Sequence, residues 1–242
     1  MVATRREFLK GAGATIAAGG AAGGVLAQPR TTLAQARPGV PADPVKIGVL
    51  ASRAGVTAPV GQAGLRGTEW WAERVNRAGG ILGRRVQLVV EEETNPKDTV
   101  ERYRKLVLQE KVDVVVGVIS TGVSLALGAV AEEMDTPWLA WDGTTQKGVE
   151  ETMPSPKWAF RSVDNEVEAI VGGILTAKYF KGVKTIAGIN NDYSYGHDCW
   201  QAYQAVLKRH GMEVKPVLEL FPKLGETNFT SHIAAIQQAK PD

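Results

Sequence analysis

Four short polar stretches each follow an apolar, β-rich run and precede a helical pattern. They are Ser52-Arg53-Ala54-Gly55-Val56-Thr57, Ser120-Thr121-Gly122, Asp142-Gly143-Thr144-Thr145 and Asn190-Asn191-Asp192-Tyr193-Ser194-Tyr195-Gly196. Between them they offer hydroxyls, backbone N–H groups, an aromatic ring and a carboxylate. Hydroxyls and free N–H groups at a helix N-terminus can hold a carboxylate, helped by the helix dipole. A tyrosine can cover an apolar part of a ligand and still donate a hydrogen bond. A serine or threonine before a helix is ordinarily an N-cap and nothing more; it is the coincidence at four successive strand ends that points to binding of a small polar molecule. Trp141 adjoins Asp142 and is a candidate wall for an apolar or aromatic part of it.

Groups for catalysis are poorly supplied. His197, His210 and His232 show no metal-ligand spacing, and with Cys199 as the sole cysteine there is no Cys-x-x-Cys pair. The chain has neither the Gly-x-Ser-x-Gly elbow of a hydrolase nucleophile nor a Gly-x-x-x-x-Gly-Lys-Ser/Thr phosphate loop. His197 and Cys199 stand two apart in a helical pattern, where side chains point to different faces. Gly11-Ala12-Gly13 has Ile16 where a dinucleotide fingerprint needs its third glycine. Gly61, Gly64 and Gly67 lack the lysine of a phosphate loop and read as close packing of a helix on a sheet. The expectation is a protein without catalysis, metal or cofactor.

The elements that must position these turns alternate strand and helix from residue 45 onward, which implies an α/β fold with a parallel, doubly wound sheet. Apolar runs at 45–51, 85–92, 112–119, 137–141, 184–190 and 213–221 read as strands. In 166–180, Val167, Ile170, Val171, Ile174 and Leu175 recur at helical spacing and form one stripe to lay on a sheet, with Asp164 as N-cap. Trp70 and Trp71 fall within the first helix, where at least one is expected in the core. Between Gln146 and Asp164 the alternation lapses into a loop with Pro154 and Pro156, followed by the short run Trp158–Arg161. This reads as a boundary between a first lobe, 45–161, with four strands before the loop, and a second lobe, 162–242. The closing IQQAKPD repeats the helix-to-strand pattern of LQEKVDVVVG and ends where the next strand is expected, as in a protein cut within its second lobe.

Charge separates the N-terminus from the rest. The whole chain carries a formal +2, but Arg5, Arg6, Lys10 and Arg30 against Glu7 give residues 1–36 a net +3, leaving −1 for the remainder. A near-neutral body argues against nucleic acid as a partner. Gly11–Ala27 has the length of a signal-peptide apolar region, and small-residue cleavage patterns end at Ala27 and at Ala36. Cleavage after Ala36 is favoured, because 37–44 then forms a Pro-rich linker into the first strand. The string Thr4-Arg5-Arg6-Glu7-Phe8-Leu9-Lys10 resembles the twin-arginine export signal at every specified position, which implies passage of the folded protein through that translocase to the periplasm.

The body resembles the periplasmic solute-binding proteins of ABC importers, of the branched-chain amino-acid type. The stretches that carry the likeness are KIGVL with Val56–Gly61, RVNRAGGILGRRVQLVVEEETNP, VVVGVISTGVSLAL, AFRSVD and NNDYSYG. Its most telling parts are Asn76-x-x-Gly79-Gly80-Ile81-x-Gly83 and the pair Tyr195-Gly196. The resemblance implies two Rossmann-like lobes joined by a hinge, closing on a small solute and delivering it to ABC permease subunits; a periplasmic ligand sensor of the same fold is the alternative. It further implies that Ser120 and Thr121 hold the ligand carboxylate, that Asp142, Gly143 and Thr144 add contacts, and that Tyr195 meets the ligand from the second lobe, with Trp141 and Val60 as candidate walls. An acid receiving the ligand's amino group would lie beyond residue 242. Two departures, no aromatic residue in Val56–Gly61 and Trp141-Asp142 in place of small residues, argue against leucine, isoleucine or valine and leave amino acids, amides or urea, and aromatic acids.

Overall fold

The computed structural model describes residues 41–162 and 165–242. Arg5, Arg6, both cleavage positions and the N-cap expected at Asp164 lie outside the described residues.

Seven strands alternate with seven helices among the described residues: β1 Val45–Ala51, α1 Ala58–Arg77, β2 Val86–Glu92, α2 Pro96–Leu108, β3 Val114–Gly117, α3 Thr121–Glu133, β4 Trp138–Ala140, α4 Gln146–Thr152, β5 Ala159–Arg161, α5 Val167–Tyr179, β6 Thr185–Ile189, α6 Ser194–Arg209, β7 Lys215–Leu220 and α7 Thr230–Ala239. The first five strands form one parallel sheet in the order β2-β1-β3-β4-β5, and β6 pairs with β7 in a second parallel sheet. Connections after β1 run to one side of the sheet and those after β3 to the other, so the topological switch lies between β1 and β3. In such sheets ligands settle in the crevice at that switch.

Alternation along β1 explains why both sheet faces are covered. Ile47, Val49 and Ala51 face α1 with Ala72 and Val86. Leu50 faces the other way, into a core of Tyr103, Leu106, Val115, Leu127 and Trp138 beneath α2 and α3. Tyr103 is fully buried and its hydroxyl donates to the carbonyl of Thr136 at 2.8 Å, satisfying the one polar atom it carries inward. The Gly79-Gly80-Ile81-Leu82-Gly83 turn ends α1, and Asn76 ties that end to β2: its side chain accepts from Val86 N at 2.7 Å and donates to Val86 O at 2.9 Å. A Cβ on Gly80 would sit 1.9 Å from the carbonyl oxygen of Arg84, so only glycine fits.

Three expectations are corrected here. The stretch read as a loop contains α4, whose N-cap Thr145 accepts from Gly148 N, and Ala159–Arg161 is a fifth strand of the first sheet. The Glu132 carboxylate places that strand by accepting from the N–H groups of Lys157, Trp158 and Ala159 at 2.6 to 3.1 Å. The stripe on α5 does not lie on a sheet: Val167, Val171, Ile174 and Leu175 are 41 to 50% exposed. The helix instead approaches α6 through Gly173, where a Cβ would meet Val206 at 3.0 Å, and through Thr176, bonded to the Tyr203 hydroxyl at 2.9 Å. Trp70 and Trp71 are both exposed, and Trp70 takes the Arg74 guanidinium over its ring. The α1 glycines divide. A Cβ on Gly61 would fall 2.0 Å from the Ser52 carbonyl oxygen and one on Gly64 3.0 Å from the Trp141 ring, while Gly67 has open space around it.

Candidate functional site

At the β1/β3 switch the chain leaves β3 through a sharp turn. Gly117 has φ +122, and a Cβ there would clash with the Leu50 carbonyl at 2.0 Å; Val118 follows at φ +81. Ser120 is the N-cap residue of α3, half-buried, and makes no side-chain cap bond. Thr121 is fully buried and its hydroxyl donates to the Gly143 carbonyl. Gly143, at φ +60, lies so close to the Ile119 carbonyl that a Cβ would stand 2.4 Å from it. Thr144, also buried, donates to the Asp142 carbonyl at 3.4 Å. The turns after β3 and β4 are therefore stitched together, with the Thr121 hydroxyl proton spent on the stitch.

Glu93, one residue past β2, was not singled out by the sequence. It is 5% exposed, and its carboxylate accepts from Ile119 N at 2.9 and 3.0 Å and from Ser120 N at 2.9 Å. Burial pushes its pKa up; the two amides pull it down without prevailing, and the charges of Asp142 and Glu92 push it further up. Its neighbour Glu92 goes the other way: burial raises it, and the bonds and charge of Arg53, with the Ala54 amide, outweigh that. The signal in the sequence is the run Glu91-Glu92-Glu93, in which alternation must turn at least one acid inward.

The remaining residues separate into two grooves. Trp141, Val60 and Asp142 line an apolar cavity of about 900 Å³ between α1 and the face of β1, β3 and β4. Tyr195 lines a different groove, of about 530 Å³, between α6 and α7. Its hydroxyl donates to the Asn165 carbonyl at 3.4 Å, and burial together with Cys199 raises its pKa. Tyr193 stacks against Tyr195 with ring centroids 6.1 Å apart, and its pKa is raised by burial, then by Cys199 and Asp142. Tyr193 thus lies within electrostatic reach of the β4 turn, which the sequence reading did not separate from Tyr195. The α6 segment is tied to that turn by Asp198, which accepts from the Thr145 hydroxyl at 2.7 Å and from Lys147 Nζ at 3.1 Å. Burial pushes the Cys199 thiol up to about 11, so the His197–Cys199 pair offers no activated nucleophile. No metal-binding cluster occurs among the described residues.

Residues 44–242 match the family described as periplasmic binding protein. The chain belongs to the periplasmic binding protein family. An amino acid binding protein of Pseudomonas aeruginosa is 29% identical over 80% of this chain and 50% of its own length. A solute binding protein of an ABC transporter from R. palustris, solved in complex with benzoate, is 25% identical with a TM-score of 0.71, over 82% of this chain and 54% of that one. The branched-chain amino acid transporter substrate binding protein of Streptococcus pneumoniae, in complex with isoleucine, shares the fold at a TM-score of 0.69 and 20% identity, over 80% of this chain and 54% of that one. This periplasmic binding protein chain spans about half the length of the curated relatives it matches. Its mixed α/β architecture with parallel sheets is that of the type I members.

Proposed function

We propose that this chain belongs to an exported binding protein that captures a small polar solute between two lobes, the first 45–161 and the second represented in part by 162–242, and delivers it to the membrane permease of an ABC importer. The solute is an amino acid, an amide or urea, or an aromatic acid. The observation that carries this reading is the convergence, at the β1/β3 switch of a periplasmic binding protein, of half-buried Ser120, the α3 N-terminus, Asp142 and the glycine-lined β4 turn. A helix N-terminus supplies N–H groups and a favourable dipole for a carboxylate, and the β4 turn with Asp142 adds contacts. A solute that touches both lobes favours the closed state by its differential affinity, and closure is what a permease can read. The names of the relatives, which include an amino-acid binder and a benzoate complex, support the solute classes. Export is assigned to the twin-arginine signal at Arg5 and Arg6.

Isothermal titration against amino acids, amides, urea and aromatic acids tests the reading. Heat is expected from at least one class, and Thr121→Ala and Tyr195→Ala are each expected to weaken that binding. Wild-type affinity in both variants would remove these two residues from the site.

A further inference from the structure

Successive backbone N–H groups that follow a left-handed residue form a concavity suited to an anion. Ile119 and Ser120, directly after Gly117 and Val118 with their positive φ, make such a concavity at the switch point. Here it is filled from within. Glu93 places both carboxylate oxygens on Ile119 N and one on Ser120 N, at 2.9 to 3.0 Å. On the other side of the turn the Val118 N–H donates to the Leu50 carbonyl at 3.0 Å. A β-branched residue holds a φ of +81 only where its surroundings fix it, and these two attachments are what fix Val118.

We propose that Glu93 is a positioning residue for solute capture: by occupying the Ile119–Ser120 amides it sets the course of the β3–α3 turn, so that half-buried Ser120 and Gly122 at the α3 N-terminus meet the solute in a single geometry. The proposal rests on the solute-capture reading above and adds to it a residue that does not itself touch the solute. It also directs a solute carboxylate to the Ser120 hydroxyl and the Gly122 amide, because the amides of Ile119 and Ser120 are already taken.

Set beside the other carboxylates of this chain, the Glu93 clamp serves geometry. Glu132 accepts from three consecutive N–H groups, and Asp242 accepts from those of Lys184 and Thr185. Asp242 is exposed and Glu132 half-buried, and their backbone bonds hold both below the usual carboxylate range. Glu93 makes the same kind of clamp while buried, facing Asp142 from the β4 turn and Glu92 from β2, the latter already held by Arg53 of the β1 turn. Its ionised form is disfavoured by that setting despite the amides. By its titration such a group subtracts from stability as pH rises above the ordinary carboxyl range, because the folded state holds the proton more readily than the unfolded chain does. What it contributes is a fixed turn.

The test compares wild type with Glu93→Gln and Glu93→Asp in the full chain. In wild type the amide resonances of Ile119 and Ser120 should titrate with a carboxyl midpoint above the ordinary range, and Glu93→Gln should abolish that titration. The same two amides should exchange with solvent at least about tenfold faster in Glu93→Gln, the ratio that corresponds to about 1.4 kcal/mol, with no drop in thermal midpoint. Isoleucine and benzoate serve as probes by titration calorimetry: whichever binds wild type should bind Glu93→Gln at least about tenfold more weakly, with Glu93→Asp recovering part of the loss. Unchanged amide exchange, or unchanged affinity for a probe that wild type binds, overturns the proposal. If neither probe binds wild type, the loss falls on the capture reading, and the amide titration and exchange alone decide the role of Glu93.

Discussion

Asp198 offers the sharpest test of how the β4 turn is coupled to α6. It is 8% exposed and accepts two bonds, from the Thr145 hydroxyl at 2.7 Å and from Lys147 Nζ at 3.1 Å, and Lys147 also reaches Gln201 Oε1 at 2.9 Å. Asp198→Asn keeps an oxygen for Thr145 and removes the charge; Asp198→Ala removes both. The Thr145 bond is buried and accepted by a carboxylate, which makes its loss worth about 1.5–3 kcal/mol. Lys147 is 42% exposed on its side chain, so screening by solvent limits the ion pair to about 0–1 kcal/mol. The expectation is about 2–3 kcal/mol for Ala and under about 1 kcal/mol for Asn. In a chain of this size that means roughly 5–10 °C and at most about 3 °C in thermal midpoint. Circular-dichroism melts at low salt and at about 1 M NaCl, where the Debye length is about 3 Å, separate the two terms. The Asn effect should shrink with salt and the Ala effect persist. Equal losses in the two variants would refute the argument, because the Thr145 bond would then carry none of the coupling.

Two further expectations concern packing and alkaline pH. Gly61→Ala forces a Cβ to within 2.0 Å of the Ser52 carbonyl and should cost about 1–3 kcal/mol in urea unfolding, whereas Gly67→Ala, with open space around it, should be neutral or stabilising by up to about 1 kcal/mol. A matching loss at both positions would place the cost in the helix backbone and not in contact with the β1 turn. Tyr103, Tyr193, Tyr195 and Cys199 all have raised pKa values in the fold, each with burial as the first cause. The unfolded chain therefore loses these protons first, and stability should fall as pH rises above about 9, the reverse of what a lowered acid would do. For Cys199, pushed from 9.0 to about 11, the thiolate at pH 8 should be about a hundredfold scarcer than on a free thiol, and iodoacetamide labelling of the native protein should be correspondingly slow. Labelling at the rate of a small-molecule thiol would contradict the buried setting of α6.

The fold was legible wherever a run of side chains met a single environment. The β1 boundaries match the apolar run at 45–51 residue for residue, because a strand buried on both faces is a near-continuous apolar run, and β2, β6 and β7, less buried, fall inside theirs. Legibility failed where position depends on a distant partner. Ala159–Arg161 is too short to declare itself a strand, and it becomes one through β4 and the Glu132 clamp. The α5 stripe has helical spacing, but spacing says nothing about which face finds a neighbour; Gly173 let α6 approach on the other side. At the site, the turn residues Ser120, Thr121, Asp142, Gly143 and Thr144 could be placed from the strand ends alone. Their hydrogen bonds could not, and those bonds distinguish the Thr121 hydroxyl, committed to Gly143, from that of Ser120, which makes no cap bond to its own helix.

The same physics explains why so much of this chain's turn geometry is carried by carboxylates far away in sequence. Strand ends and helix N-termini present N–H groups that no ladder or helix partner satisfies, and a buried or half-buried N–H needs an acceptor. A single carboxylate has lone pairs for several such groups at once. Glu93 serves 119–120, Glu132 serves 157–159, Glu166 serves 146–147 and Asp242 serves 184–185. Two of these segments, 157–159 and 184–185, lead into strands β5 and β6, and 146–147 open α4 directly after the β4 turn. The fourth is the crevice itself, where burial and the charges of Asp142 and Glu92 disfavour the ionised form of the Glu93 carboxyl. A solute carboxylate held at the α3 N-terminus would add a further negative charge beside Glu93 and disfavour its ionised form still more. In this crevice the clamp that shapes the turn also sets the charge that the turn presents.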